Sequence, residues 1–152
     1  MEKSNYSRFA LILLISFILM YAIMFLNVEE ADHIYLNMTR FYMSLLMICA
    51  MAVLMIVMMP LMYSDKKANI IIMISSIVVF AFAFIGVHKQ FLISDIQYMK
   101  GMIPHHSIAI MTSKNAHIKD ARVRKLADGI IETQEKEIAE MKAMIDSLQH
   151  TH

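Results

Sequence analysis

The stretch Met99-Lys-Gly-Met102-Ile-Pro104-His105-His106-Ser-Ile-Ala-Ile-Met111 sets two adjacent imidazoles among three thioethers within thirteen residues. Its apolar positions recur at helical spacing, so the donors ride on one helix. Thioether and imidazole together suit a soft metal ion. Spacing limits which of them can share an ion: Met99 and His106 are about 10.5 Å apart in helical rise, too far for one small ion. Met102 and His106, at i and i+4, are neighbours on a face. Pro104 cannot donate to the carbonyl of Lys100, which predicts a kink just ahead of the imidazoles.

Downstream, Gln134, Glu137 and Met141 recur at helical spacing on a second segment. A chain folded about residue 118 sets Met102 level with Gln134, His105 level with Ile131 and Met99 near Glu137, with Met141 one turn beyond. The expected primary site is Met102 with His105 or His106 and a donor from the second helix; Met99 with Met141 is the expected second one. Copper(I) and silver(I) prefer such donors, and a thioether has no proton to lose on binding. The single cysteine, Cys49, lies in an apolar run, so the chain has neither an internal disulfide nor a Cys-x-x-Cys site.

Each of these residues also has a plainer reading. A His-His pair beside a proline can hydrogen-bond at a helix bend without metal. Gln134 in an apolar stripe needs a partner, which a polar network supplies as well as an ion does. Glu137 can be a solvated neighbour of Lys136. Met111 and Met144, like Met141, serve as core filler, and His117 fits a turn; these make Met111, His117 and Met144 secondary metal candidates only. His150 and His152 belong to the chain end.

Working outward, residues 9–27, 41–63 and 70–87 carry no charge, and each run is long enough to cross about 30 Å of hydrocarbon. With 59% apolar residues, three Gly and two Pro, the 152-residue chain reads as an all-α membrane protein: a membrane domain over 1–92 and a helical hairpin over 93–152. The first run is too long for a signal peptide and lacks a cleavage site, so it reads as an uncleaved anchor. Lys3 and Arg8 before it, and Lys66 with Lys67 after the second run, put the amino terminus in the cytoplasm and the hairpin outside, in a bacterium the periplasm of the inner membrane. The acidic loop Glu29, Glu30, Asp32, His33 reads as solvated. Seventeen methionines include a ladder at Met43, Met47, Met51, Met55, Met58, Met59 and Met62, read as filler between helices before a thioether path through the membrane. The net charge of +1 argues against nucleic acid.

From Asp95 onward the charges balance at eight of each sign, as a water-exposed hairpin requires. Ser94 and Gln97 fit a capping box, and Asp120 a cap for the second helix. That helix presents Val123, Leu126, Ala127, Ile130, Ile131, Gln134, Ile138, Met141, Ile145 and Leu148 as one broad stripe. Two helices of this length bury too little alone. A second copy completing a four-helix bundle as a homodimer, or the chain's own span ends, would supply the rest.

The motif Met99-x-x-Met102-Ile-Pro-His-His-x-x-Ala109-Ile110-x-Thr, with Val123-x-x-Leu126-Ala127-x-x-Ile130-Ile131-x-x-Gln134-x-x-Glu137-Ile138-x-x-Met141, resembles the DUF305 family. The resemblance covers about the last third of the chain. It implies a ferritin-like helical hairpin or bundle, extracytoplasmic copper or silver binding with copper tolerance, and a metal-binding expectation for Met99, Met102, His105, His106, Gln134, Glu137 and Met141. Other copper-handling proteins then become expected partners. The family places a Met one residue after Met111, in Ala-Ile-x-Met-Ala, which this chain lacks. The three spans look like a membrane-anchored subgroup.

Rival readings fare less well. A di-iron centre needs Glu-x-x-His motifs on the bundle helices, and the one such string, Glu30 to His33, sits between spans. No Ser-His-Asp set, phosphate loop or zinc-protease motif occurs, so no enzyme is expected. A structural or signalling module in which the hairpin mediates dimerisation remains the alternative.

Overall fold

The computed structural model describes residues 2–150, with side chains from Asn5 onward. Among the described residues the chain is entirely helical: α1 Glu2–Ile23, a single 3-10 turn Ala31–His33, α2 Met38–Met58, α3 Lys66–Lys89, α4 Asp95–Asn115 and α5 Ala121–His150. The first three are long and apolar enough to cross a membrane.

Their limits differ from the uncharged runs. α1 stops at Ile23, short of residue 27. α2 stops at Met58, because Pro60 cannot continue a helix and restricts the residue before it. α3 starts at Lys66, where the Asp65 carboxylate accepts from the Lys67 and Ala68 amides. Lys66 and Lys67 end the apolar stretch but not the helix.

The chain divides into two compact units, residues 1–23 with 39–92 and residues 24–38 with 93–152. In the first, α2 turns Tyr42, Cys49, Ala52 and Ile56 inward, and Phe9, Ala52, Ile56 and Tyr63 form one cluster. Tyr42 donates to the Phe91 carbonyl at 3.0 Å, and its ring lies flat against Gly86, where a Cβ would stand 3.0 Å from it. Only glycine admits that approach. The hydroxyl of Tyr6 bonds Asn69 Oδ1 at 2.8 Å and accepts from the Asp65 amide, tying α1 to the start of α3.

Met43, Met47, Met58, Met59 and Met62 are exposed. Met43, Met47 and Met58 lie on the outside of α2 and Met59 and Met62 beyond its end, whereas Met51 and Met55 are half-buried and Met55 packs against the cluster as filler.

In the second unit α4 and α5 pair as a hairpin around Met99, Ile103, Ile110, Ile138 and Ile145, with Tyr35, Ile96, Ile131 and Met141 packed against them. Fully burying each isoleucine contributes about 1.5–3 kcal/mol. The broad stripe on α5 divides. Ala127, Ile138 and Ile145 are buried, with Ile131, Gln134 and Met141 half-buried, which is a heptad seam; Val123, Leu126 and Leu148 stay exposed. Ser94 caps α4 through the Gln97 amide, yet the box does not close, because Gln97 Oε1 accepts instead from the Met38 amide at 3.3 Å. Asp120 caps α5 through the Arg122 and Val123 amides.

Candidate functional site on the hairpin

Pro104 stands inside α4, fully buried, and the helix continues through it. Its neighbours at helical spacing, Ile103, His106, Ser107 and Ile110, are buried on the same side. His106 is held at both nitrogens. Nδ1 lies 2.9 Å from the Met102 carbonyl oxygen and Nε2 lies 2.7 Å from Glu137 Oε2. Both neighbours are acceptors, and a neutral imidazole donates from only one nitrogen. The second contact therefore requires one more proton, on the ring or the carboxyl, or another cation in that proton's place.

This contact also fixes the register. A fold about residue 118 would set Ile130 opposite His106; the partner is Glu137, about two turns further along α5. The reason is the connection after α4. α4 ends at Asn115 and α5 begins at Ala121, evenly placed about residue 118, so the shift arises in the path of the connection, which leaves α4 extended at Ala116.

The other donors separate by environment. Met99 is buried in the core cluster and Met141 packs half-buried against it. Met102 is half-buried. Gln134 Oε1 is buried with no hydrogen-bond partner, an arrangement that costs about 1–3 kcal/mol if nothing fills it. His105 is exposed, its ring 6.1 Å from that of His106. Glu137 is half-exposed. Met111 is half-buried, while His117, Met144 and His150 are exposed; His152 lies outside the described residues.

Sequence reasoning missed what backs the hairpin. Ser107, with no exposure, accepts the Glu29 amide at 2.7 Å and lies 2.9 Å from His33 Nδ1. His33 is buried, which corrects the reading of its loop as wholly solvated. Lys114 bridges Glu29 at 3.2 Å and Glu135 at 3.1 Å, and these bonds push its ammonium pKa up. Lys142 bonds Asp32 and holds that carboxyl below its ordinary range. A serine on the buried face of α4 was the available signal, since a buried hydroxyl needs a partner.

Residues 92–151 match DUF305, a domain of unknown function. Along nearly its whole length the chain is also similar to an uncharacterised protein of Acanthamoeba polyphaga mimivirus, 37% identical over 145 residues and covering 93% of each chain. The chain belongs to that protein's family. No solved structure matches it significantly. The DUF305 segment takes in α4 and α5 and every residue of the Met/His set, whereas Glu29, Glu30, Asp32 and His33 lie upstream of it.

Proposed function

We propose that the chain is a membrane-anchored protein whose hairpin binds copper(I) or silver(I) on the extracytoplasmic side, buffering the ion or passing it to other copper-handling proteins, and that it is a carrier and not a catalyst. The observation that carries this reading is the inward-facing set around His106. A buried imidazole held between two acceptors calls for a cation there; Met102 stands one turn before it on α4, and Gln134, whose buried Oε1 has no partner, stands about one turn before Glu137 on α5. Met99, within the core cluster, and Met141, packed against it, are the second thioether pair of this reading. An ion bound about 2 Å from His106 Nε2 and from Glu137 replaces the hydrogen now between them and moves those two atoms apart.

Membrane anchoring rests on the three apolar helices. The hydrogen bonds joining residues 24–38 to α4 support two crossings between these segments, by α2 and α3, because bonded partners share one side of the bilayer. The outward assignment follows from the basic residues flanking the spans.

The test is copper(I) titration of the full chain in detergent, in competition with a coloured chelator. Met102→Ala and His106→Ala should each weaken binding at least tenfold, with His150→Ala at the parent's affinity. No binding by the parent, or equal binding by all, would overturn the proposal. A second reading has its own observation: α5 carries an open groove of about 600 Å³ along Arg122, Leu126, Gly129, Ile130 and Gln134, beside exposed Val123 and Leu126. That face suits a second hairpin, so a ferritin-like four-helix bundle formed by two copies is compatible with metal binding or replaces it as the hairpin's role.

A further inference from the structure

The turn Ala31–His33 and the residue before it gather a second set of donors, of different chemistry. One donor atom from each of Glu30, Asp32 and His33 lies within 4.8 Å of the other two. We propose that these three residues hold a divalent transition-metal cation such as zinc(II), at a site independent of the coinage-metal site on the hairpin.

Three observations carry this beyond a group of surface acids. The first is the imidazole. His33 is only 6% exposed, and its Nε2 faces Asp32 Oδ1 at 3.7 Å and Glu30 Oε2 at 3.9 Å, beyond hydrogen-bonding range of either. The ring nitrogen of a buried histidine thus faces two carboxylates without bonding to them. Three atoms so spaced share a centre about 2.2–2.5 Å from each, against about 2.0–2.2 Å for zinc bonded to imidazole or carboxylate. Closing the gap takes a shift of a few tenths of an ångström in two exposed side chains.

The second is the support behind the ring. Ser107 Oγ has two lone pairs; one takes the Glu29 amide and the other can take Nδ1–H of His33. That tautomer turns the lone pair of Nε2 toward the carboxylates, and a hydrogen bond from the second ring nitrogen is the usual support of a metal-bound histidine.

The third is space and charge. A cavity of about 230 Å³ adjoins the cluster, lined by Glu30, His33, Ile110, Glu135, Ile138 and Lys142, with room for water to complete a coordination shell. Lys142 occupies Oδ2 of Asp32 and leaves Oδ1 to the ion. One ammonium stands against two carboxylates. With no sulfur among its donors, this nitrogen and oxygen set favours a borderline divalent ion over copper(I).

The experiment is titration of the full chain in detergent with zinc(II) alone by calorimetry, and with cobalt(II) followed by its visible absorption. The parent should take up one zinc ion. Glu30→Gln, at an exposed side chain facing His33, should bind at least tenfold more weakly and alter the cobalt band while keeping its helical circular dichroism and the parent's copper(I) affinity. Asp32→Asn should do the same to zinc. No uptake by the parent, or uptake unchanged in both variants, would overturn the proposal, whatever the copper(I) titrations show.

Discussion

Replacing His106 and Glu137 by alanine, singly and together, isolates the contact on which the hairpin's polar centre depends. A charge-assisted hydrogen bond is worth about 1.5–3 kcal/mol. Here the imidazole is 11% exposed but the carboxylate 48%, so water screens half the pair and about 1 kcal/mol of coupling should remain. The single variants should differ. Glu137→Ala loses the pair alone, while His106→Ala also loses the ring's contact with the Met102 carbonyl and leaves a hole where a buried ring stood, costing about 2–4 kcal/mol in all. Amide hydrogen exchange over α4 and α5 in the intact chain reads both effects, since about 1 kcal/mol is about a fivefold change in opening. Additive single effects, to within about 0.3 kcal/mol, would show that the 2.7 Å contact contributes nothing and that the register is held by the isoleucines alone.

Further outcomes are expected elsewhere. Gly86→Ala should lower the melting temperature in detergent, because Tyr42 is held by Phe91 and cannot yield to a new methyl; overpacking of this kind costs about 1–3 kcal/mol. Gly129→Ala meets nothing within 4 Å and should stabilise α5 by about 1 kcal/mol; a loss there instead would reveal a second copy packed on that face. Ser107→Ala should speed exchange in residues 29–38 by tenfold or more, as a buried amide and imidazole lose their partner at about 1–3 kcal/mol; unchanged exchange would refute that role. Asp32 titrates below its ordinary 3.8 because Lys142 bonds it. The tie therefore acts fully above that pH and is lost as pH falls through the lowered value. A carboxyl titration by nuclear magnetic resonance should show the depressed midpoint, and Lys142→Met should return it to the ordinary one; a parent midpoint at or above 3.8 would contradict the bond.

The five helices are legible in the sequence because each leaves a strong local trace: long uncharged runs for α1 to α3, and caps at Ser94 and Asp120 around amphipathic segments for α4 and α5. The register of the hairpin is not. Helical spacing names the residues that share a face, but which turn of α5 meets His106 depends on how residues 116–120 are extended, and that stretch has no period. The division of the α5 stripe is equally silent, since Val123 and Ala127 look alike until α4 covers one and not the other. Residues 24–38 carry no periodic pattern at all, so their bonds to α4 had no signature beyond a serine, Ser107, placed on a buried face.

Those bonds set an order of events in the making of the protein. Glu29 leaves the ribosome 78 residues before Ser107, its partner, with α2 and α3 synthesised in between. For that interval the loop must wait in water with His33 uncovered, and it folds only when the end of the chain arrives. A nascent chain cut short before α4 would carry its three apolar helices complete and its first loop without the serine that holds it.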